Sequence, residues 1–161
     1  MAFTFRSFAF ALVLSATAAT AQQKIAFGDL KQDTTLPVEV QADQLAVNNA
    51  DGSAVFSGNV VVTQGEMKLA AGEVRVTYGT QKNDIQELVA SGGVVVTNLG
   101  DAVEAQGAVY TIDSGVIVLS GDVLLTQGPS AMAGQKLTIN LKDGTGVMEG
   151  RVTTTFVPGG N

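Results

Sequence analysis

Val55-Phe56-Ser57-Gly58-Asn59-Val60-Val61-Val62-Thr63-Gln64-Gly65 is the stretch on which the fold turns. It is β-branched and apolar, a Gly-Asn pair interrupts it, and a Gln-Gly pair ends it. The pattern returns along the chain. Ser91-Gly92-Gly93-Val94 opens Val95-Val96-Thr97, and Ser120-Gly121-Asp122-Val123 opens Leu124-Leu125-Thr126-Gln127-Gly128. A worn copy follows in Glu149-Gly150-Arg151-Val152-Thr153-Thr154. Glycines 58, 92, 121 and 150 are spaced by 34, 29 and 29 residues, and a regular period of this size is the mark of a repeat architecture.

A second element keeps the same period. Leu45-Ala46-Val47, Val74-Arg75-Val76-Thr77-Tyr78, Ala108-Val109-Tyr110-Thr111-Ile112 and Leu137-Thr138-Ile139-Asn140-Leu141 each follow a cluster of small residues. Turn signals separate these from the next glycine tetrad: Asp51-Gly52, Asp113-Ser114-Gly115 and Asp143-Gly144-Thr145-Gly146. In the second unit a longer loop, residues 79–84, takes that place. Every element is short and alternates with period 2, as a half-buried strand does. With the tetrads in register, one face carries Ala54, Phe56, Val60 and Val62, then Leu88, Ala90, Val94 and Val96, then Ile117, Leu119, Val123 and Leu125. The opposite face is mostly polar, although it also holds Val61, Val95 and Leu124. A glycine at a fixed strand position implies a bulge or bend. Units of this length cannot enclose a core singly, so they must stack or roll around a shared one. A β-solenoid and a rolled antiparallel sheet both satisfy this, and the tight Asp-Gly turns favour the second. The expectation is an all-β fold: a rolled, twisted, open-ended antiparallel β-jellyroll of about four units of ~30 residues.

The first 21 residues stand apart. Arg6 precedes an apolar run at residues 8–14, and small residues lead to Ala19-Thr20-Ala21, the form of a cleavable secretory signal. The run is too short for a membrane span, which needs about 20 residues. The expected organisation is a signal at 1–21, a flexible segment at 22–36, the β-jellyroll at 37–158 and a short tail at 159–161. Loss of Arg6 leaves 8 basic against 15 acidic residues, a net charge of −7. That balance, with scattered cations, repels nucleic acid. The chain has no Cys, His or Trp, which removes His-based nucleophilic sites and the usual zinc ligand sets. No cofactor or metal is expected. Asp51, Asp113 and Asp143 fall at turns, where Asp serves local hydrogen bonding rather than a paired-carboxylate site.

From Pro37 onward the sequence resembles the LptA/OstA family of lipopolysaccharide-transport proteins. Pro37-Val38-Glu39-Val40-Gln41-Ala42-Asp43 is similar to that family's opening strand, and residues 55–65 to its central signature. Val118-Leu119-Ser120-Gly121-Asp122-Val123 is similar to a later unit, and Arg151-Val152-Thr153-Thr154-Thr155-Phe156-Val157-Pro158 to the closing strand. Gly72 departs from the pattern, standing where a second small-Asp pair is expected, and residues 91–112 follow it loosely. The resemblance implies a non-enzymatic periplasmic carrier of lipopolysaccharide. Its implied partners are an inner-membrane-anchored LptC-like protein and an outer-membrane LptD-like translocon, with head-to-tail self-association.

Such a carrier needs a continuous apolar lining for acyl chains. The candidates are Val38, Val40, Phe56, Val60, Val62, Val74, Val76, Tyr110, Leu119 and Leu125, of which Val38 and Val40 stand where the resemblance places lipid-facing residues. Bridging needs bare sheet edges. Residues 38–42 carry one charge, Glu39, and residues 152–157 carry none, so Val38, Val40, Val152, Thr154 and Phe156 are the candidate edge residues. The alternative is a structural or adhesive β-repeat with a dry core, which would share every one of these features except lipid binding.

Overall fold

The computed structural model describes residues 24–26, 31–79 and 84–157. Eleven strands run through them: β1 (Lys24–Ala26), β2 (Glu39–Gln41), β3 (Gln44–Asn48), β4 (Ser53–Gln64), β5 (Met67–Tyr78), β6 (Ile85–Asn98), β7 (Asp101–Thr111), β8 (Val116–Gln127), β9 (Ser130–Asn140), β10 (Thr145–Glu149) and β11 (Thr153–Thr155). No helix occurs among the described residues. All pair antiparallel in one sheet, in the order β1-β10-β9-β8-β7-β6-β5-β4-β2, with β3 also on β4 and β11 also on β9. The signal-like residues 1–21 and the tail 159–161 lie outside the described residues.

The glycine tetrads bend this sheet. Ser57 pairs with Glu73 and Val60 with Ala71, so β4 takes three steps where β5 takes two. The same slip lies at Ser91/Val94 in β6 and Ser120/Val123 in β8. At each, two successive residues adopt positive φ: Gly58 and Asn59 (78° and 47°), Gly92 and Gly93 (80° and 82°), Gly121 and Asp122 (82° and 45°). Gly150 and Arg151 (83° and 47°) do the same between β10 and β11. An extra residue in this conformation kinks a strand sharply and strengthens its twist. Glycine holds the first position because a neighbouring side chain fills the space: a Cβ on Gly58 would lie 2.6 Å from Asp43 Oδ2. Outside the bend, Asn59 donates to Asp43 at 2.8 Å and Gln106 to Asp122 at 2.9 Å.

Gly72 now has a physical account. Asp43, Gln106 and Gln135 set side chains against glycines 58, 121 and 150, whereas a Cβ on Gly72 would meet the Gly92 carbonyl oxygen at 3.1 Å. At that corner backbone packs on backbone, and any side chain at position 72 would crowd the Gly92 carbonyl.

The aligned bends fold the sheet into two leaves. Leaf 1 holds β3, β10 and the corresponding halves of the long strands (residues 53–57, 73–78, 85–91, 107–111, 116–120 and 136–140). Leaf 2 holds β2, β11 and the other halves (60–64, 67–71, 94–98, 101–105, 123–127 and 130–134). Their inner faces meet in one apolar core running from Ala54 and Val60 to Met132 and Met148. Val74, Ile117, Leu119, Leu137 and Ile139 are each 0% exposed. Burying such a side chain contributes about 1.5–3 kcal/mol, which offsets the absence of any disulfide.

Candidate functional site: the apolar interior and its seam

The interior is built from alternate residues of every long strand. Of the expected lining, Val60, Val62, Val74, Val76, Tyr110, Leu119 and Leu125 are buried in the core. Val38, Val40 and Phe56 are half-buried and pack against it at the β2–β4 end. Val61, Val95 and Leu124 face outward: Val61 is half-buried, and the other two are exposed. Residues outside the expected lining complete it: Met67, Leu69 and Ala71 on β5, Val103 on β7, and Met132, Leu137 and Ile139 on β9.

Polar groups collect where leaf 2 ends. Gln64 and Asn98 close the ends of β4 and β6, and Asp101 opens β7. All three are buried. Gln127, at the end of β8, donates to Asp101 at 2.7 Å. These residues continue the parity of the inner face, so the apolar interior ends in a polar lip. Across the seam between the leaves, Tyr110 of leaf 1 donates its hydroxyl to Gln64 Oε1 at 2.7 Å. Burial pushes the Tyr110 phenol up to about 12, against the opposing pull of that hydrogen bond.

A strap of residues 31–38 lies over this seam. The Gln32 amide donates to the Leu141 carbonyl of leaf 1 at 2.8 Å. Gln64 Nε2 donates to the carbonyls of Thr34 (3.1 Å) and Leu36 (2.9 Å), and Gln32 Nε2 donates to the Gln64 carbonyl. Gln64 thus uses both amide protons and its amide oxygen, which is full satisfaction for a buried amide of this kind. Thr34 approaches the β7–β8 turn, and Leu36 the β4–β5 turn. The sequence offered no periodicity for this strap, and Gln64 reads there as a turn residue. Residues 22–36, expected to be a flexible segment, therefore include described residues that hydrogen-bond both leaves, as well as β1, which pairs with β10.

The two sheet edges differ. At the first, β2 and β3 lie on β4 with no strand beyond them among the described residues, and Leu45 and Val47 are 56% and 65% exposed. At the last, β1 covers β10 while β11 stands on β9 with no strand beyond it among the described residues. The edge strands are shorter than the sequence suggested: Val38 precedes β2, and Val152 and Phe156 flank β11. Phe156 is 74% exposed.

The turn carboxylates do local work. Asp51 accepts from the Ser53 hydroxyl at 2.7 Å and the Ser53 amide at 3.0 Å, which lowers its pKa. Asp143 accepts likewise from the Thr145 amide. Among the described residues no three His, Cys, Asp or Glu side chains are grouped to hold a metal ion.

Comparison with known proteins follows this geometry. A family model described as "LptA/(LptD N-terminal domain) LPS transport protein" matches residues 39–145, from β2 to the start of β10. The chain belongs to this family. The lipopolysaccharide export system protein LptA of Escherichia coli K12 is 30% identical over 139 residues, covering 78% of this chain and 74% of that protein. LptA of Haemophilus influenzae is 27% identical over 140 residues, covering 80% and 81%. The crystal structure of LptH, the LptA-homologous periplasmic component from Pseudomonas aeruginosa, shares the fold. Its TM-score is 0.70 at 21% identity, covering 79% of this chain and 99% of that one. The all-β, antiparallel architecture expected from the repeated strands and their Asp-Gly turns is the fold of this family.

Proposed function

We propose that this chain carries lipopolysaccharide through the periplasm, from an LptC-like partner at the inner membrane to an LptD-like translocon at the outer membrane. The observation that carries this reading is the unbroken apolar inner face. It runs from half-buried Val38, Val40 and Phe56 at one edge, through the core, to Met132 and Met148 near the other. Each acyl methylene moved there from water gains about 0.8 kcal/mol, so retention needs no phosphate clamp. The scattered cations of an acidic chain agree with that: binding rests on the acyl chains, and the headgroup stays at the polar lip. The exposed Leu45 and Val47 at one edge and the bare β11 at the other support bridging by strand addition. Joining the first edge of one copy to the last edge of the next is a heterologous contact that extends head to tail.

A dry structural repeat is the competing reading, favoured by the complete burial of the central side chains. Photo-crosslinking in the native envelope separates the two, with a photoreactive phenylalanine at Val40 or Phe56 and a control at exposed Asn59. Lipopolysaccharide adducts at the first two and not at the control are expected. Adducts at none, from a folded and exported protein, would overturn the carrier.

A further inference from the structure

The interior is shut. Its central side chains have no exposed surface, and the leaves are joined at the bends on one side and at the Gln64–Tyr110 contact on the other. A cargo lying between the leaves must part them somewhere. The bends cannot serve, because the backbone is continuous there in every long strand. The open choices are the two ends of the roll and the seam.

The seam is built differently from the rest of the molecule. It is closed by hydrogen bonds from a non-strand segment, not by sheet pairing. The strap touches the β9–β10 turn through Gln32, the β7–β8 turn through Thr34 and the β4–β5 turn through Leu36. The first two turns belong to leaf 1 and the third to leaf 2. Gln64 is the junction, bonded at once to the strap and to Tyr110 of the facing leaf. The lip beneath is polar, with Gln64, Asn98, Asp101 and Gln127 bounding an otherwise apolar interior. Asp33 accepts from the Thr35 amide and hydroxyl, at 3.0 and 2.6 Å, and holds the strap in a local turn of its own.

We infer that residues 31–38 are a side gate: when the strap lifts from Gln64, acyl chains enter sideways through the seam while the polar headgroup stays at the lip. This rests on the carrier function proposed above and specifies the route. An amphiphile with several acyl chains and a bulky polar head suits a lateral route. Threading from an end would drag the head along the roll, whereas the seam lets it remain in water throughout.

The native chain has no cysteine, so a lock can be introduced cleanly. Thr34 Cγ2 and Lys142 Cγ lie 3.1 and 3.0 Å from the same point, the place a Gly115 Cβ would occupy. The two atoms are thus no more than about 6 Å apart, and the double variant Thr34→Cys/Lys142→Cys is oxidised to pin the strap to leaf 1 by a disulfide. Uptake of fluorescently labelled lipopolysaccharide by the purified full chain is then timed, oxidised and after reduction. The gate predicts uptake at least tenfold slower when oxidised, restored by reductant. Gln64→Leu, which removes the two hydrogen bonds Gln64 donates to the strap carbonyls, should take up the probe at least threefold faster, with its β-sheet circular dichroism unchanged. Equal uptake by oxidised and reduced forms, with thiol loss confirmed, would overturn the gate and leave the carrier standing, loaded from its ends. A folded double variant whose thiols neither oxidise together nor join through a short bismaleimide would overturn the strap's placement and the gate with it. Uptake by neither form nor by the native chain would sink the carrier and the gate together.

Discussion

Gln64 and Tyr110 show how one buried polar pair can set the behaviour of an apolar interior. Tyr110 is 1% exposed, and its hydroxyl is satisfied by the Gln64 amide oxygen. Replacing it with Phe strands that oxygen, at a cost of about 1–3 kcal/mol at neutral pH. The cost should depend on pH. The phenol ionises near 10.0 when unfolded and at about 12 when folded, so within that window the unfolded chain has lost a proton that the folded chain keeps. Stability therefore falls as pH rises through the window, and this loss is absent below it. Urea unfolding at pH 9 and pH 11.5 should show the native chain's advantage over Tyr110→Phe shrinking at the higher value. A constant difference would mean that the phenol is not held protonated by burial. Exposed pairs carry no comparable weight. Lys136 and Glu149 are 2.6 Å apart, but both side chains are more than 40% exposed, so Glu149→Gln should change stability by less than about 0.5 kcal/mol in the same experiment.

At the scale of the strand, the bends divide what sequence shows from what it hides. On β4, β6 and β8 the glycine pair occupies the extra position, and alternate residues stay inside on both sides of it: Phe56 and Val60, Ala90 and Val94, Leu119 and Val123. Period-2 counting therefore finds those faces directly. On β5, β7 and β9 the partner strand skips a step, and the inside parity changes, from odd to even on β5 and β7 and from even to odd on β9. Ala71 gives way to Val74, and Val103 to Ala108. A count carried through these bends points the wrong way, which is why the leaf 2 halves of those strands escaped the expected lining. The small-residue clusters, such as Ala70-Ala71-Gly72, mark where the count should restart. The two positions of each pair should also respond differently to substitution. Gly121→Ala forces a Cβ into φ +82°, 2.8 Å from Gln106, and should cost more than about 2 kcal/mol. Gly93→Asn places a Cβ where nothing lies within 4 Å, at a position that Asn59 fills in the first bend, and its positive φ should cost no more than about 1–2 kcal/mol, less than Gly121→Ala. Guanidinium unfolding of both checks the contrast, and equal losses would refute it.

For the molecule as a whole, the proposed head-to-tail association rests on the sheet edges. β11 is three threonines with no charge, and nothing among the described residues pairs beyond it. A lysine on such an edge opposes strand addition because its charge must be desolvated to pair. Thr154→Lys should leave thermal unfolding nearly unchanged while lowering the mass-average size seen by light scattering at high protein concentration. Unchanged size would place association elsewhere than this edge. The repeat, the roll and the uncharged last strand were legible from residues 55–65 and their echoes. The cover that β1 gives β10 was not, since no pattern in three residues near one terminus announces a partner near the other.

That last pairing has a consequence in time. From β3 to β10 each strand pairs with the next in sequence, so each contact can form as soon as its hairpin exists. Lys24, by contrast, pairs with Val147. A chain delivered from its N-terminal side presents residue 24 well before residue 147, so β1 waits while the strands between them emerge and pair. Gln32 waits in the same way for Leu141. The hairpins from β3 to β9 can thus assemble with the seam unfastened, and its fastening is a late event of folding.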